Sequence, residues 1–500
     1  MNDGICFNDL IKSGYHKAPS FISQYHIDAV DLLKELIRYK SVTPDYSDAQ
    51  KLLAEELSKL GFEVDIFECF DESTPENLKV YNLFAKLGDG RPSFLFCGHS
   101  DVVPTGSGWE FDPFGGEVIG DYVCGRGSED MKSGIACFLA ALSQFVNKHQ
   151  DLKGQIAILI SGAEENHSHN GVNSFAKYLK SRNISFDVCL TGEPTSTKVV
   201  GDTYKPGRRG NIDFSLKLNG DLNAFIPVVM NLCQTPLDNG ELGFPPSDIV
   251  PVGIDFFHNI TGKEEKEFVK LTITGSQGHS AYSYLALNPI GVFLNLLDEF
   301  EKYNINVEVA KVLSNFLAVN IIPPVAEVIL AIEKNDYQKA YDNILSKAEH
   351  IEMFKTYNVE KDDEKAEIFV NFRFGAKWNF TTLKNEVETR IKTALNGFNA
   401  ATENCYKGLA DSYASKGDKT ANLLAKILKD EFNLETKANF GGGTSDTRHL
   451  VREGVCIEAM DLGVLSQTMH KVNEKTSVEG IKKLAVIYEK LIENFFNVRS

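Results

Sequence analysis

His99 and Asp101 leave the end of an apolar run, Phe94 to Cys97, in the segment FLFCGHSD. In an extended chain, residues two apart point the same way. A carboxylate beside an imidazole fixes its tautomer and leaves the other ring nitrogen free for a metal. Asp130 stands between GRGSE and a predicted helix from Met131 to Phe145. An acid at such a junction lies at the rim of a sheet, where α/β sites gather. Each residue alone has a plainer reading: a lone histidine is usually a satisfied core or surface residue, and an aspartate before a helix is a cap. Two further apolar runs also end in acids. QIAILI runs into SGAEEN with Glu164 and Glu165, and FDVCL runs into TGEP with Glu193. A Glu-Glu pair is most often a solvated acidic loop, but here three strand ends agree. Carboxylates gathered at one edge repel each other unless a cation compensates. His470, in MHKVNEKT, supplies a second imidazole, so these residue types point to divalent-cation chemistry.

The elements that must position these side chains alternate. Helical spacing runs from Ile27 to Tyr39 and from Asp48 to Leu60. Strand patterns cover Phe62 to Phe67, Tyr81 to Leu87, Phe94 to Cys97, Gln155 to Ile160 and Phe186 to Leu190, with a helix through Phe175 to Leu179. This rhythm predicts an α/β fold with a mainly parallel sheet flanked by helices, its strand C-termini sharing one edge. After Gly207 the pattern changes to alternating strands. It returns after Asn399 with a helix from Ala421 to Phe432, a strand from Cys456 to Met460 and a closing helix from Ser477 to Phe496. The expected organisation is an N-terminal arm (1–25), a catalytic domain in two parts (26–207 and 399–500) and an inserted α+β lid domain (208–398).

Composition agrees with this reading. Five hundred residues exceed one ordinary core. A net charge of −17 argues against nucleic acid or an anionic membrane as partner. No run of about 18 apolar residues is present, so no membrane span is predicted. The nine cysteines form no CxxC pair and read as reduced residues of a cytoplasmic protein.

GHSDVVPTGSGWEFDPF, GRGSEDMKSG, SGAEE, TGEP, GRRG, GSQGH, NFRF, FGGGTSD and MHKVNE occur in the order found in the dizinc amidohydrolases of the aminoacylase and carboxypeptidase class, which the chain resembles from about Ile27 onward. Within that class GRRG, GGTSDTR and HKVNE are most similar to the branch acting on N-succinyl-diaminopimelate. The resemblance implies two zinc ions, with cobalt an option in one site. His99 and Glu193 would hold one ion, Glu165 and His470 the other, and Asp130 would bridge them. Glu164 would be the general base and Asp101 would orient His99. His279 would support the developing oxyanion. Arg208, Asn320, Arg373 and Thr444 would hold substrate carboxylates or the scissile amide. Two places depart from the family pattern, both near substrate: Tyr282-Ser283-Tyr284 where Tyr-Pro-His is usual, and Ser466 where asparagine is common.

The implied reaction is hydrolysis of N-succinyl-LL-2,6-diaminopimelate to succinate and LL-2,6-diaminopimelate, in lysine and cell-wall synthesis. The alternatives are another N-acyl amino acid deacylase or dipeptidase, and a scaffold retaining the fold. The segment 208–398 is too long for one βαββα lid, and its signals predict a second such unit nested at about 264–352. Arg208 and Arg373 fall in the outer unit, and His279 and Asn320 in the nested one. In dimeric members the last two reach a partner's site, so the nested unit would replace a partner and make a functional monomer; otherwise a homodimer is expected.

Overall fold

The computed structural model describes residues 11–43, 48–69, 80–149, 151–165, 169–240, 243–276, 278–280, 283, 286–314, 321–347, 349–356 and 363–499. The chain forms two compact units. One comprises Met1–Gly207, Tyr413–Phe440 and Ser445–Ser500, the other Arg208–Ser412 and Gly441–Thr444.

The first unit is α/β. Its seven-stranded sheet has the order Ile11–Lys17, Glu63–Cys69, Val80–Asp89, Gly154–Ser161, Ser93–His99, Phe186–Thr191 and Cys456–Asp461. The sheet is mixed. The first four strands in this order run antiparallel to one another, and the last four run parallel. The parallel strands are the apolar runs of the sequence, because helices cover both their faces; every residue of Ser93–His99 is buried. Helix Lys132–Lys148 lies against one face, with Phe138 stacked 4.0 Å from Phe96. On the other face Phe175, Leu179 and Leu450 pack with Leu95 and Cys97. The expected N-terminal arm supplies an edge strand, Ile11–Lys17, paired with Glu63–Cys69.

The chain passes from Ser93–His99 to a neighbour on one side and then to Phe186–Thr191 on the other. This is a topological switch point, and crevices form outside the carboxyl ends of strands at such points. Among the described residues, no helix is long and apolar enough to cross a membrane.

The second unit is an eight-stranded antiparallel sheet with helices, and it contains one topology twice. The first half is strand Gly210–Gly220, helix Phe225–Cys233, strands Asp248–Phe257 and Lys365–Phe374, helix Phe380–Ala394 and strand Ala400–Ala410. The other half is inserted between its two middle strands: Lys266–Thr274, helix Pro289–Lys302, Val307–Ser314, Val325–Glu333, helix Tyr337–Leu345 and Ile351–Thr356. In each half the strands stand in the order second, third, first, fourth. The halves join edge to edge through Asp248–Phe257 and Val307–Ser314. Each half therefore has one strand more than the expected βαββα pattern. Ala400–Ala410, expected to open the second catalytic segment, pairs instead with Gly210–Gly220. Ile351–Thr356 and Ala400–Ala410 end the sheet and are largely exposed, so neither needs the apolar alternation that marks a strand in sequence.

Candidate metal centre

Three parallel strands deliver side chains to one sheet edge. Ser93–His99 ends on His99, Gly154–Ser161 leads into Glu164 and Glu165, and Phe186–Thr191 leads into Glu193. The start of helix Lys132–Lys148 meets that edge because two glycines allow it. A β-carbon on Gly134 would lie 2.2 Å from the Gly192 carbonyl oxygen, and one on Gly192 would lie 2.8 Å from the Met131 methyl carbon. This close approach brings Asp130 beside His99. The sulfur of Met131 lies 3.3 Å from the His99 amide, which donates to it.

Asp130 stands in the middle of the group. Its Oδ1 is 3.2 Å from His99 Nε2, and its Oδ2 is 2.9 Å from His470 Nε2. Glu193 Oε1 lies 3.5 Å from the same His99 nitrogen, and Glu165 Oε1 lies 3.2 Å from the same His470 nitrogen. All five expected ligand residues thus converge, as two trios sharing one carboxylate. Ligand atoms of His99, Asp130 and Glu165 also lie within 4.8 Å of one another.

The other nitrogen of His99, Nδ1, is 2.9 Å from the backbone carbonyl of Asp101 and 3.5 Å from its carboxylate. Asp101 does more than orient this ring. Its two carboxylate oxygens accept the backbone N–H groups of Glu164 and Glu165, at 3.0 and 3.1 Å. One residue therefore fixes both the imidazole and the turn bearing the paired glutamates.

The electrostatics fit a cation site. Burial alone would push the His99 imidazole down, but hydrogen bonds to Asp101, Asp130 and Glu193 hold it well above its ordinary value. His470 behaves likewise: burial opposes its charge, yet Asp130 and Glu165 hold it at about 11. Burial also opposes ionisation of Asp130, but the two imidazoles win and hold it well below the usual carboxylate range. Glu165 is pushed up to about 7 by burial and then by Asp130. Glu164 is pushed well above its ordinary value by burial, with Asp446, Glu193 and Glu165 adding to it against the pull of His99. Such a concentration of buried carboxylates fits divalent cations, which accept imidazole nitrogen and carboxylate oxygen together.

Three buried acids beside this group had no role in the sequence reading. Glu129 precedes Asp130 in GRGSED, and Glu474 closes the quoted HKVNE; both are at most 2% exposed. Burial pushes Glu129 up to about 7. Asp446, 3% exposed in FGGGTSD, is pushed up to about 7 by burial, with Asp101 and Glu193 adding to it. A carboxylate inside a quoted motif beside a ligand was the available signal for Glu129 and Glu474.

The remaining expected residues lie in the second unit. Arg208 is buried and donates to the Gly443 carbonyl at 3.2 Å, next to Thr444. Arg373 is buried too; its Nε donates to Asn371 at 2.6 Å and a terminal nitrogen to Ser280 at 3.0 Å. Ser280 follows His279, whose backbone pairs with Ile321. Asn320, Tyr282 and Tyr284 lie outside the described residues.

The chain is similar to known hydrolases over nearly its whole length. A succinyl-diaminopimelate desuccinylase from Ehrlichia chaffeensis is 32% identical over 485 residues, covering 94% of this chain and 99% of that protein. One from Pelagibacter ubique is 28% identical over 479 residues, covering 93% of this chain and 98% of its own length. Among solved structures, an aminoacylhistidine dipeptidase from Vibrio alginolyticus shares the fold with a TM-score of 0.61 and 13% identity, over 93% of this chain and 96% of that one. A metallo-carboxypeptidase from Sulfolobus solfataricus gives a TM-score of 0.55 at 13% identity, over 94% of this chain and 99% of that one. Residues 95–494 match the hydrolases of peptidase family M20/M25/M40, and the chain belongs to that family.

Proposed function

We propose that the chain hydrolyses N-succinyl-LL-2,6-diaminopimelate to succinate and LL-2,6-diaminopimelate, using two zinc ions, with cobalt an option in one site. The observation that carries this reading is the split of Asp130, one oxygen toward His99 and the other toward His470, with Glu193 and Glu165 completing the two trios. His99 and Glu193 would hold one ion, His470 and Glu165 the other, and Asp130 both. When bound, such a pair of ions polarises the scissile carbonyl and makes water a nucleophile near neutral pH.

Glu164 takes a proton from the attacking water and passes it to the leaving amine. Its backbone amide is pinned by Asp101, which fixes where that carboxylate stands. His279, Asn320, Arg208 and Thr444 receive substrate-facing roles from the family resemblance. Arg373 shares that assignment, and it also bonds to Asn371 and to Ser280, the residue after His279. The substrate is a small acyl amino acid, and the enzyme acts in the cytoplasm, in keeping with the free cysteines among the described residues.

The names of the relatives support the succinylated substrate. A second reading, another deacylase or a dipeptidase, draws on the likeness to the Vibrio dipeptidase. A panel of succinylated and acetylated amino acids and dipeptides, run with defined metal content, separates them. The favoured reading expects the highest kcat/KM for the succinylated diaminopimelate, and faster cleavage of a dipeptide would overturn it.

The repeated topology of the second unit supports a further part of the proposal, a functional monomer in which the inserted half replaces a partner. Sedimentation of the active species tests this. Restored activity on mixing a His279 variant with a Glu164 variant, which requires subunits that complete each other's sites, would contradict it.

A further inference from the structure

Two buried acids tie together the loops that carry Asp130 and His470. Glu129 lies on the Asp130 loop and reaches the other: its carboxylate accepts the Thr468 amide at 2.7 Å and the Gln467 amide at 3.2 Å. Glu474 lies on the His470 loop and reaches back. Its Oε1 accepts the amides of Gly127, Glu129 and Asp130 at 3.1, 2.8 and 3.1 Å. Its Oε2 takes a 2.7 Å bond from Arg126, whose guanidinium also donates to the Lys471 carbonyl at 3.0 Å and lies over the Trp109 ring.

The arrangement is reciprocal. Each loop gives a buried carboxylate and receives one. Backbone amides converging on a single carboxylate oxygen form a cage whose shape depends on that charge. His470 needs such support, because its backbone has φ 62°, a left-handed conformation that a residue with a β-carbon seldom adopts. Immediately beyond Glu474, strand Lys475–Ser477 pairs with Tyr122–Cys124, which anchors the base of the clamp.

We propose that Glu129 and Glu474 are reciprocal positioning residues that set the spacing between Asp130 and His470, and so the affinity of the ion on the His470 side. The proposal rests on the two-metal reading above. It goes beyond that reading by giving two buried acids a role in one half of the centre only: Asp130 also faces His99, but His99 is fixed independently by its strand and by Asp101.

The test is a chelator titration of the zinc-loaded full-length protein, with bound zinc measured by metal analysis. Circular dichroism and the thermal midpoint are recorded in parallel for wild type, Glu474→Gln and Glu129→Gln. Wild type is expected to release two ions in two steps. Glu474→Gln places an amide N–H against Arg126 and should weaken the looser step by about tenfold to a hundredfold, leaving the tighter step in place. Glu129→Gln should move the same step by less, since it disturbs two backbone bonds. A folded Glu474→Gln variant with both steps at wild-type positions would overturn the clamp. So would equal weakening of both steps in proportion to a lower thermal midpoint, which is what a merely structural role predicts. Should Glu474→Gln fail to fold, Glu129→Gln decides by the same criteria. If wild type takes up no pair of ions, the metal reading itself fails, and that outcome is distinct from a pair held equally well by the variants.

Discussion

The two sides of the candidate centre are fixed by different means. His99 closes a strand buried at every position; its side chain is 2% exposed, and its second nitrogen is held by Asp101. His470 sits on a loop, 43% exposed, in a left-handed backbone conformation. On the first side, sheet packing fixes the ligand, and moving it would disturb a core. On the second, hydrogen bonds to a few carboxylates fix it, and those can fail one at a time. The lesson is that a symmetric-looking pair of ligand trios need not be symmetric in strength. The His470 side should exchange its ion first.

The largest expected effect touches neither side. Glu164→Ala should keep both ions and lose about a hundredfold to ten-thousandfold in kcat. Near-normal turnover would remove Glu164 as the base. Next come the two histidines, which set the two sides against each other. His470→Ala should lose one ion and, because removing a ring that is 43% exposed lets water reach Asp130 and Glu165, change stability by less than about 1 kcal/mol. His99→Ala leaves buried acids without their partner and should cost about 1–3 kcal/mol in denaturant unfolding as well as metal. Equal stability losses would erase the distinction drawn between strand and loop. Asp101→Asn is a milder probe. An amide in place of the carboxylate loses one of the two acceptors that pin Glu164 and Glu165, and kcat/KM should fall about tenfold. The smallest effect is Ser280→Ala, which removes bonds to Asn371 and Arg373 and should cost about 1 kcal/mol of stability.

Much of this was legible in the sequence. The strands that lead to His99, Glu164 and Glu193 are continuous apolar runs, because parallel strands are covered on both faces. The acids that follow them broke those runs abruptly. His470 was readable only because the other ligands demanded a partner and a motif supplied it; its own loop has no periodicity. The edge strands Ile11–Lys17, Ile351–Thr356 and Ala400–Ala410 were missed or given to other segments, since exposed edges carry little alternation. Glu129 and Glu474 lay inside recognised motifs, but which backbone amides they would meet depends on loops more than 330 residues apart in sequence. No local pattern encodes such a meeting. The same holds for Arg373, whose meeting with Ser280 no local pattern encodes.

The most direct test of the two-trio centre is anomalous diffraction at the zinc edge from zinc-loaded crystals. Two peaks are expected about 3.5–4 Å apart, with Asp130 between them, one beside His99 and Glu193 and the other beside His470 and Glu165. A single peak, or peaks bound away from Asp130, would contradict it.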